Sequence, residues 1–490
     1  MLERRWMKRL FDYSIILIVS IAARLPHILS DHFVVDGDEA IVGVMTESLL
    51  KGDFLGLFFV GQNYGFVLPE IIPAALFSLV FGLNDFSLKL PQLLWFALGA
   101  MFLLQTIKPF IGNRFAWMVI ILLAISPTWF LWAMRARGGY VFAFAMINTL
   151  IFLVLHSSYR PIPLSFLIGL LLGLVFIAQP LWFLPALLFV AYYFFTRKPP
   201  TKNILIMFLG VAIPLIAFVL NYTDSPSHHP RLFSFTTGTF TRNFDLFYSF
   251  LSRGFNGIYL NGKAFTGSEA VNFFVVMMIA ALVLVVIKGV MLLAKKTANT
   301  LDVIVMIAIL YIPVAAFFFN VLAPRYLLPL PGFLIVAVAV FYRKDLDSIS
   351  FRKRFAGVFT LAVILSASAL FNSSSFVYED FTRSEMKGLI AELKSTNKTL
   401  VFTDKGMLQW QVMFYSDGII LARSKKALDR IPHLSQKVND RFKQNPETAV
   451  FVGFKNNVDG TQKSAWENHA FWMTDAVNVA GLLNRGFHFD

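Results

Sequence analysis

Asp36-Gly37-Asp38-Glu39 places three of the chain's 29 acidic side chains within four residues, in a protein that carries 43 Lys and Arg. The cluster follows the first long apolar run, 11–29, so it belongs at a membrane surface. Carboxylates concentrated there can take a proton from a substrate hydroxyl, hold a basic group, or bind a cation. Asp38 and Glu39 are the candidate catalytic pair. Asp36 and Asp38 have the spacing that holds a divalent ion between sugar and phosphate oxygens, so a divalent cofactor is an open option. Asp38 could also serve only as a helix N-cap. That reading explains neither Asp36 nor Glu39, whose mutual repulsion requires a cation nearby.

Further along, polar side chains interrupt apolar sequence. Glu70 is an ionisable group in an otherwise apolar stretch, a costly placement that points to function. Before it, Gly61-Gln62-Asn63-Tyr64-Gly65 reads as a turn whose Gln62 and Tyr64 could grip sugar hydroxyls. Arg135-Ala136-Arg137-Gly138-Gly139-Tyr140 offers two guanidinium forks, which match phosphate oxygens, beside two glycines that admit a ligand to the backbone. Arg325-Tyr326 and Arg24 repeat the pattern of arginine at the outer end of an apolar run. The competing reading of these arginines is snorkelling to lipid headgroups. Substrate contacts are therefore expected from Asp36, Gln62, Tyr64, Glu70, Arg135, Arg137, Tyr140, Arg325 and Tyr326. His228-His229 lack the spaced third ligand of a metal site. Asn221, Asn372 and Asn397 open short glycosylation-like triplets.

The elements that position these residues follow from composition. The chain is 57% hydrophobic and only 15% charged over 490 residues, with a mean hydropathy of +0.66, too apolar for a soluble protein of this size. The net charge of +14 does not imply nucleic acid, because much of it lies in short loops between apolar runs. Without cysteine there is no disulfide or thiol chemistry. The first run has basic residues before it and no small-residue cleavage site after it, as in an uncleaved anchor.

Apolar runs fall at 11–29, 66–83, 90–108, 115–134, 139–156, 162–178, 181–196, 203–221, 270–292, 301–322, 326–342 and 355–371. If all twelve cross, the Lys and Arg groups near 108–114, 197–202, 295–296 and 343–354 land outside. If 66–83 lies along the outer face, all of them fall inside, as the positive-inside rule expects. Eleven crossings are therefore expected, with the N-terminus in and the C-terminus out. The membrane domain is 1–371, with surface helices in a first external loop (30–89) and a long external loop (222–268). Within the first loop, the segment after Glu39 has apolar positions at helical spacing and should lie on the membrane surface. Residues 372–490 form a small extracytoplasmic α/β domain. There, strand-like TLVFTD ending at Asp404, IILAR (419–423) and TAVFVGF (448–454) alternate with helical patterns at 382–395 and 433–444, suggesting a parallel sheet.

The ordered set of motifs resembles a known family. Arg24-Leu25-Pro26, the Asp38-Glu39 pair, Gly61-Gln62-Asn63-Tyr64-Gly65 with Glu70, Phe81-Gly82 before Lys89-Leu90-Pro91, Ser126-Pro127, Ala136-Arg137-Gly138-Gly139-Tyr140 and Pro324-Arg325-Tyr326-Leu327-Leu328-Pro329 occur in sequence. Together they are similar to the polytopic GT-C glycosyltransferases, in the branch of protein mannosyltransferases and aminoarabinose transferases, over residues 10–345. The resemblance implies a helical membrane bundle that moves a sugar from a polyprenyl-phosphate donor to a lipid, glycan or protein acceptor. The reaction would occur outside a bacterial or archaeal plasma membrane. It makes Asp38 the base and Glu70 the acidic residue of the second external helix. The branch often has an acidic residue after Ser-Pro, where this chain has Arg-Gly-Gly-Tyr. A lipid-linked-sugar flippase is the alternative, but it calls for ionisable groups at mid-span, where this chain has few. A membrane scaffold would leave the Asp/Glu/Arg set unexplained.

Overall fold

In a computed structural model of the full chain, the described residues are 2–156, 161–222, 234–246, 269–318, 324–371, 379–425, 431, 433–455, 465–474 and 478–487. His228, His229, Asn372 and most of the loop 222–268 lie outside them. Every apolar run identified above is helical within these residues. The membrane bundle contains α1 (Leu2–Ile28), α2 (Gly37–Leu50), α3 (Leu68–Phe81), α4 (Asp85–Lys89), α5 (Gln92–Ile125), α6 (Pro127–Trp132), α7 (Tyr140–His156), α8 (Pro161–Ala178), α9 (Pro180–Arg197) and α10 (Thr201–Leu220). It continues with α11 (Thr237–Asp245), α12 (Glu269–Ala294), α13 (Thr300–Phe318), α14 (Pro329–Phe341) and α15 (Ile349–Phe371). Among the described residues, seven helical segments can cross a membrane by length and hydropathy, and Leu68–Phe81, Tyr140–His156 and Arg325–Phe341 are shorter apolar helices. The protein is an integral membrane protein.

One of those seven segments, Asp85–Ile125, contains two passes. Gly112 has φ 77° and ψ 160°, a conformation that breaks the helix and is open to glycine. The Phe96 and Trp129 rings lie 5.7 Å apart, so the chain on either side of Gly112 runs antiparallel. The runs predicted at 90–108 and 115–134 are these two arms.

Helix α3 is short for a crossing. Its 14 residues rise about 21 Å, short of the ~30 Å hydrocarbon core. Glu70 near its start is bonded to the backbone of residues 137–139, and Asp85 just beyond its end accepts from Val35 N, so both ends are tied beside residues 35–38.

The C-terminal segment forms α16 (Arg383–Ser395), β1 (Leu400–Thr403), α17 (Gly406–Tyr415), β2 (Leu421–Ser424), α18 (Leu434–Gln444), β3 (Ala449–Phe454), β4 (Trp466–Glu467), β5 (Phe471–Thr474) and α19 (Val479–Asn484). Its sheet has the order β2-β1-β3-β5-β4. The three strands foreseen from sequence pair in parallel, whereas β5 and β4 add in antiparallel fashion, so the sheet is mixed. The two residues of β4 are too few to show the alternation that marks strands in sequence.

Helix α2 corrects another expectation. It is buried from Gly37 to Glu47, apart from Asp38, rather than lying on the membrane surface. Helix α17 covers the face that would have met lipid. Gly37 and Gly43 permit this, since a Cβ at either would run into Met407 or Phe414. Val34, Ile41 and Met45 share one apolar core with Leu408, Val412 and Phe414. Polar contacts fix the register: Gln411 donates to Val35 O at 3.1 Å, Arg383 donates to Phe33 O at 2.7 Å, and Tyr415 hydrogen-bonds Asp85.

Candidate active site

The site begins where α1 ends and α2 starts. Asp36, not Asp38, is the N-cap: its Oδ1 accepts from Glu39 N at 2.9 Å, and Glu39 Oε2 accepts from Asp36 N at 2.9 Å. This reciprocal capping leaves Asp38 in the first turn of α2, its side chain 15% exposed and facing open space. Glu39 was expected beside Asp38 in the chemistry, but it points the other way. It is fully buried, takes two bonds from Lys89 (one of 2.6 Å), and lines neither cavity described below. Burial raises its pKa above the ordinary value, with Lys89 offsetting part of that.

Arg137 faces the two aspartates. Its Nη1 donates to Asp36 Oδ2 at 3.0 Å and its Nη2 bonds Asp38 Oδ2. Arg135 is buried, packs over the Trp132 ring at 5.1 Å and reaches within 3.8 Å of Asp36 Oδ2. Burial raises the Asp36 pKa, but the charges of Arg137, Arg135 and Lys89 outweigh it and hold the group below its ordinary value. Arg137 bridges the two carboxylates, and the other Asp36 oxygen caps α2. Among the described residues, no group of three or more His, Asp or Glu is arranged for a metal.

Glu70 sets the position of Arg137. It is fully buried, and its carboxylate accepts three successive backbone N–H groups: Arg137 at 3.1 Å, Gly138 at 2.9 Å and Gly139 at 2.7 Å. Three consecutive amides converge on one point because Gly138 and Gly139 both have positive φ, 71° and 83°. Gln179 completes the turn by donating to Gly138 O at 2.6 Å. Burial raises the Glu70 pKa to about 7 against the opposing pull of those amides. Glu70 thus touches the arginine loop and lines neither cavity, unlike the substrate contact expected from sequence. Arg24 also serves structure. It is fully buried and donates to Phe130 O and Trp129 O, both at 2.8 Å, satisfying carbonyls at the end of the short α6.

Two cavities meet at Asp38 and Arg137. The narrower one gathers Asp38, Gln62, Tyr64, Arg137, Tyr140 and Arg325, six of the residues expected to bind or act, together with Phe59, Gly138 and Gln179. Tyr326 stacks beneath Arg325 at 5.4 Å without lining it. The larger, 440 Å³, opens between Asp36–Asp38 and the C-terminal domain. It is walled by Glu379, Asp380, Asp404, Lys405, Met407 and Gln411 among others. Burial, then the nearby charge of Asp36, pushes Glu379 up to about 8. None of these C-terminal residues was selected from sequence. The available signal was Asp404, which ends the apolar burst of β1, the position where ligands gather in parallel sheets.

No family model and no curated protein matches the chain. Solved structures do. ArnT from Cupriavidus metallidurans in the apo state superposes with a TM-score of 0.60 at 10% identity, covering 96% of this chain and 98% of that one. ArnT bound to undecaprenyl phosphate gives 0.59 at 11% identity, covering 95% and 97%. The archaeal oligosaccharyltransferase AglB from Archaeoglobus fulgidus, in complex with an inhibitory peptide and a dolichol-phosphate, gives 0.51 at 10% identity, covering 92% and 70%. Bundle, buried first-loop helix and C-terminal domain together, the chain has the fold of the GT-C membrane glycosyltransferases.

Proposed function

We propose that the protein transfers a sugar from a polyprenyl-phosphate donor to a hydroxyl of a lipid, glycan or protein acceptor, with Asp38 as general base. The observation that carries this reading is that Asp38 and Arg137 line both of two adjoining cavities. The narrow cleft, about 30 Å³, presents Arg137 and Arg325 with Gln62, Tyr64 and Tyr140, side chains whose chemistry matches phosphate oxygens and sugar hydroxyls. The larger cavity, between the membrane and C-terminal domains, has room for an acceptor. The undecaprenyl phosphate bound to ArnT and the dolichol-phosphate in complex with AglB support a polyprenyl-phosphate carrier.

In this mechanism the acceptor oxygen attacks the anomeric carbon, and the bond from that carbon to the phosphate oxygen breaks. Asp38 receives the acceptor proton, and polyprenyl phosphate leaves with its negative charge held by Arg137 and Arg325. Donor phosphate in the cleft would draw Arg137 Nη2 away from Asp38, so donor binding itself prepares the base. No step passes through a metal. The reading places the reaction at the outer face of a bacterial or archaeal plasma membrane.

The test is transfer from labelled polyprenyl-phosphate sugars by the purified protein. Asp38→Asn should bind donor lipid, remain folded, and lose roughly 10²–10⁴-fold in turnover, the usual cost of removing a general base. Near-normal turnover in this variant would remove Asp38 from the chemistry.

A further inference from the structure

A second cavity of comparable size, 450 Å³, lies at the far end of the bundle from Asp38. Its position follows from helix geometry. Lys89, bonded to Glu39, marks the active-site end of α4, and the 20-residue rise from Gln92 to Gly112 is about 30 Å, one hydrocarbon thickness. The cavity surrounds the break at Gly112, where a Cβ would meet nothing within 4 Å. Phe115 and Met118 form apolar wall, and Arg114, Arg352 and Lys353 supply charge, with no carboxylate in the lining.

Some cations at this end of the bundle are neutralised within the protein. Lys108 pairs with Asp12 at 2.9 Å, Lys288 with Asp345 at 2.9 Å, and Arg343 with Asp302 at 3.0 Å. Those around the cavity are not. Among the described residues, no carboxylate pairs with Arg114, Arg352 or Lys353, and the Arg352 guanidinium donates through Nε to Leu346 O. Three cations around an apolar-walled recess at a membrane face match a phosphate group carried on acyl chains. We infer that the recess at Gly112 binds the headgroup of an anionic phospholipid of the leaflet opposite the active site. The inference is independent of sugar transfer. The alternative is diffuse attraction of all exposed Lys and Arg to anionic lipid.

The test compares two triple variants of the full chain in detergent: Arg114→Gln/Arg352→Gln/Lys353→Gln, and Lys198→Gln/Lys202→Gln/Lys295→Gln, which removes equal exposed charge from the same end. Phosphatidylglycerol, phosphatidylcholine and inorganic phosphate are titrated, and binding is read by thermal midpoint and by lipid retained in native mass spectra. Phosphatidylglycerol should stabilise the wild type and the second variant, and should bind the first at least tenfold more weakly, given roughly fivefold per cation. Equal losses in both variants, or equal stabilisation by phosphatidylcholine, would overturn the site. Stabilisation by inorganic phosphate alone would overturn the lipid assignment. If the first variant does not fold, Arg352→Gln alone must lose affinity while Arg352→Lys keeps it; equal affinity in the two would also overturn the site.

Discussion

Arg137 bonds two carboxylates from α2 while its own backbone is held by a third carboxylate from α3, so its guanidinium is fixed from both ends. If Arg137 and Arg325 hold the donor phosphate, Arg137→Lys and Arg325→Lys should each reduce turnover roughly tenfold to a hundredfold. An ammonium keeps the charge but cannot supply the fork. Unchanged turnover in both would move the phosphate site elsewhere. Glu70 carries a pH prediction with two opposite signs. Protonating it below about pH 7 removes an acceptor from three converging amides, so activity should fall as pH drops through that value. Its folded pKa lies above the ordinary carboxylate value, so the native state holds the extra proton. Its contribution to stability is therefore greatest below about 4.5 and declines as pH rises towards 7. Glu70→Gln should flatten both profiles and lower activity at high pH, because an amide N–H would then face the backbone donors. Wild-type pH profiles of activity and thermal midpoint in this variant would show that Glu70 does not titrate with the loop.

Among elements, α2 matters most, because the C-terminal domain reaches the site by packing on it. Gly43 lies under the Phe414 ring, and a larger side chain there must push α17 away. Gly43→Val should cost about 1–3 kcal/mol in stability by overpacking. It should also reduce transfer by opening the 440 Å³ cavity, with membrane insertion unchanged. An unaltered thermal midpoint would mean that the two helices separate without cost. The sequence of α2 is apolar on nearly every face, which fits burial between two partners better than a lipid surface. The pattern shows that a helix must be covered, not by what.

For the whole molecule, the bundle has two chemically distinct ends. Asp38, Arg137 and the C-terminal domain sit at one, and Arg114, Lys198, Lys295 and Arg352 sit at the other. By the positive-inside rule, the second end is expected in the cytoplasm. A reporter that works only outside the cytoplasm, fused after Asp490, should therefore be active, and activity confined to a cytoplasmic reporter would invert the orientation.

The sequence by itself determined what local pattern and composition can carry. Apolar runs of span length marked the helices, and the runs 90–108 and 115–134 fall on the two arms that meet near Gly112. The basic residues marked one end of the bundle. The placement of Asp38, Arg137 and Arg325 against apolar sequence selected residues that the fold brings to one cleft. Side-chain type did not reveal direction. Asp36 and Asp38 are two residues apart with the same chemistry, yet one closes a capping box and the other faces the cavities, because only Asp36 has a partner three residues on. Glu39, Glu70 and Arg24 look as reactive as their neighbours in sequence, and burial against Lys89, three amides and two carbonyls gives them structural work. The acceptor-side wall was the least legible part. Glu379 and Asp404 lie more than 300 residues from Asp38, and only the packing of α17 on α2 brings them to it.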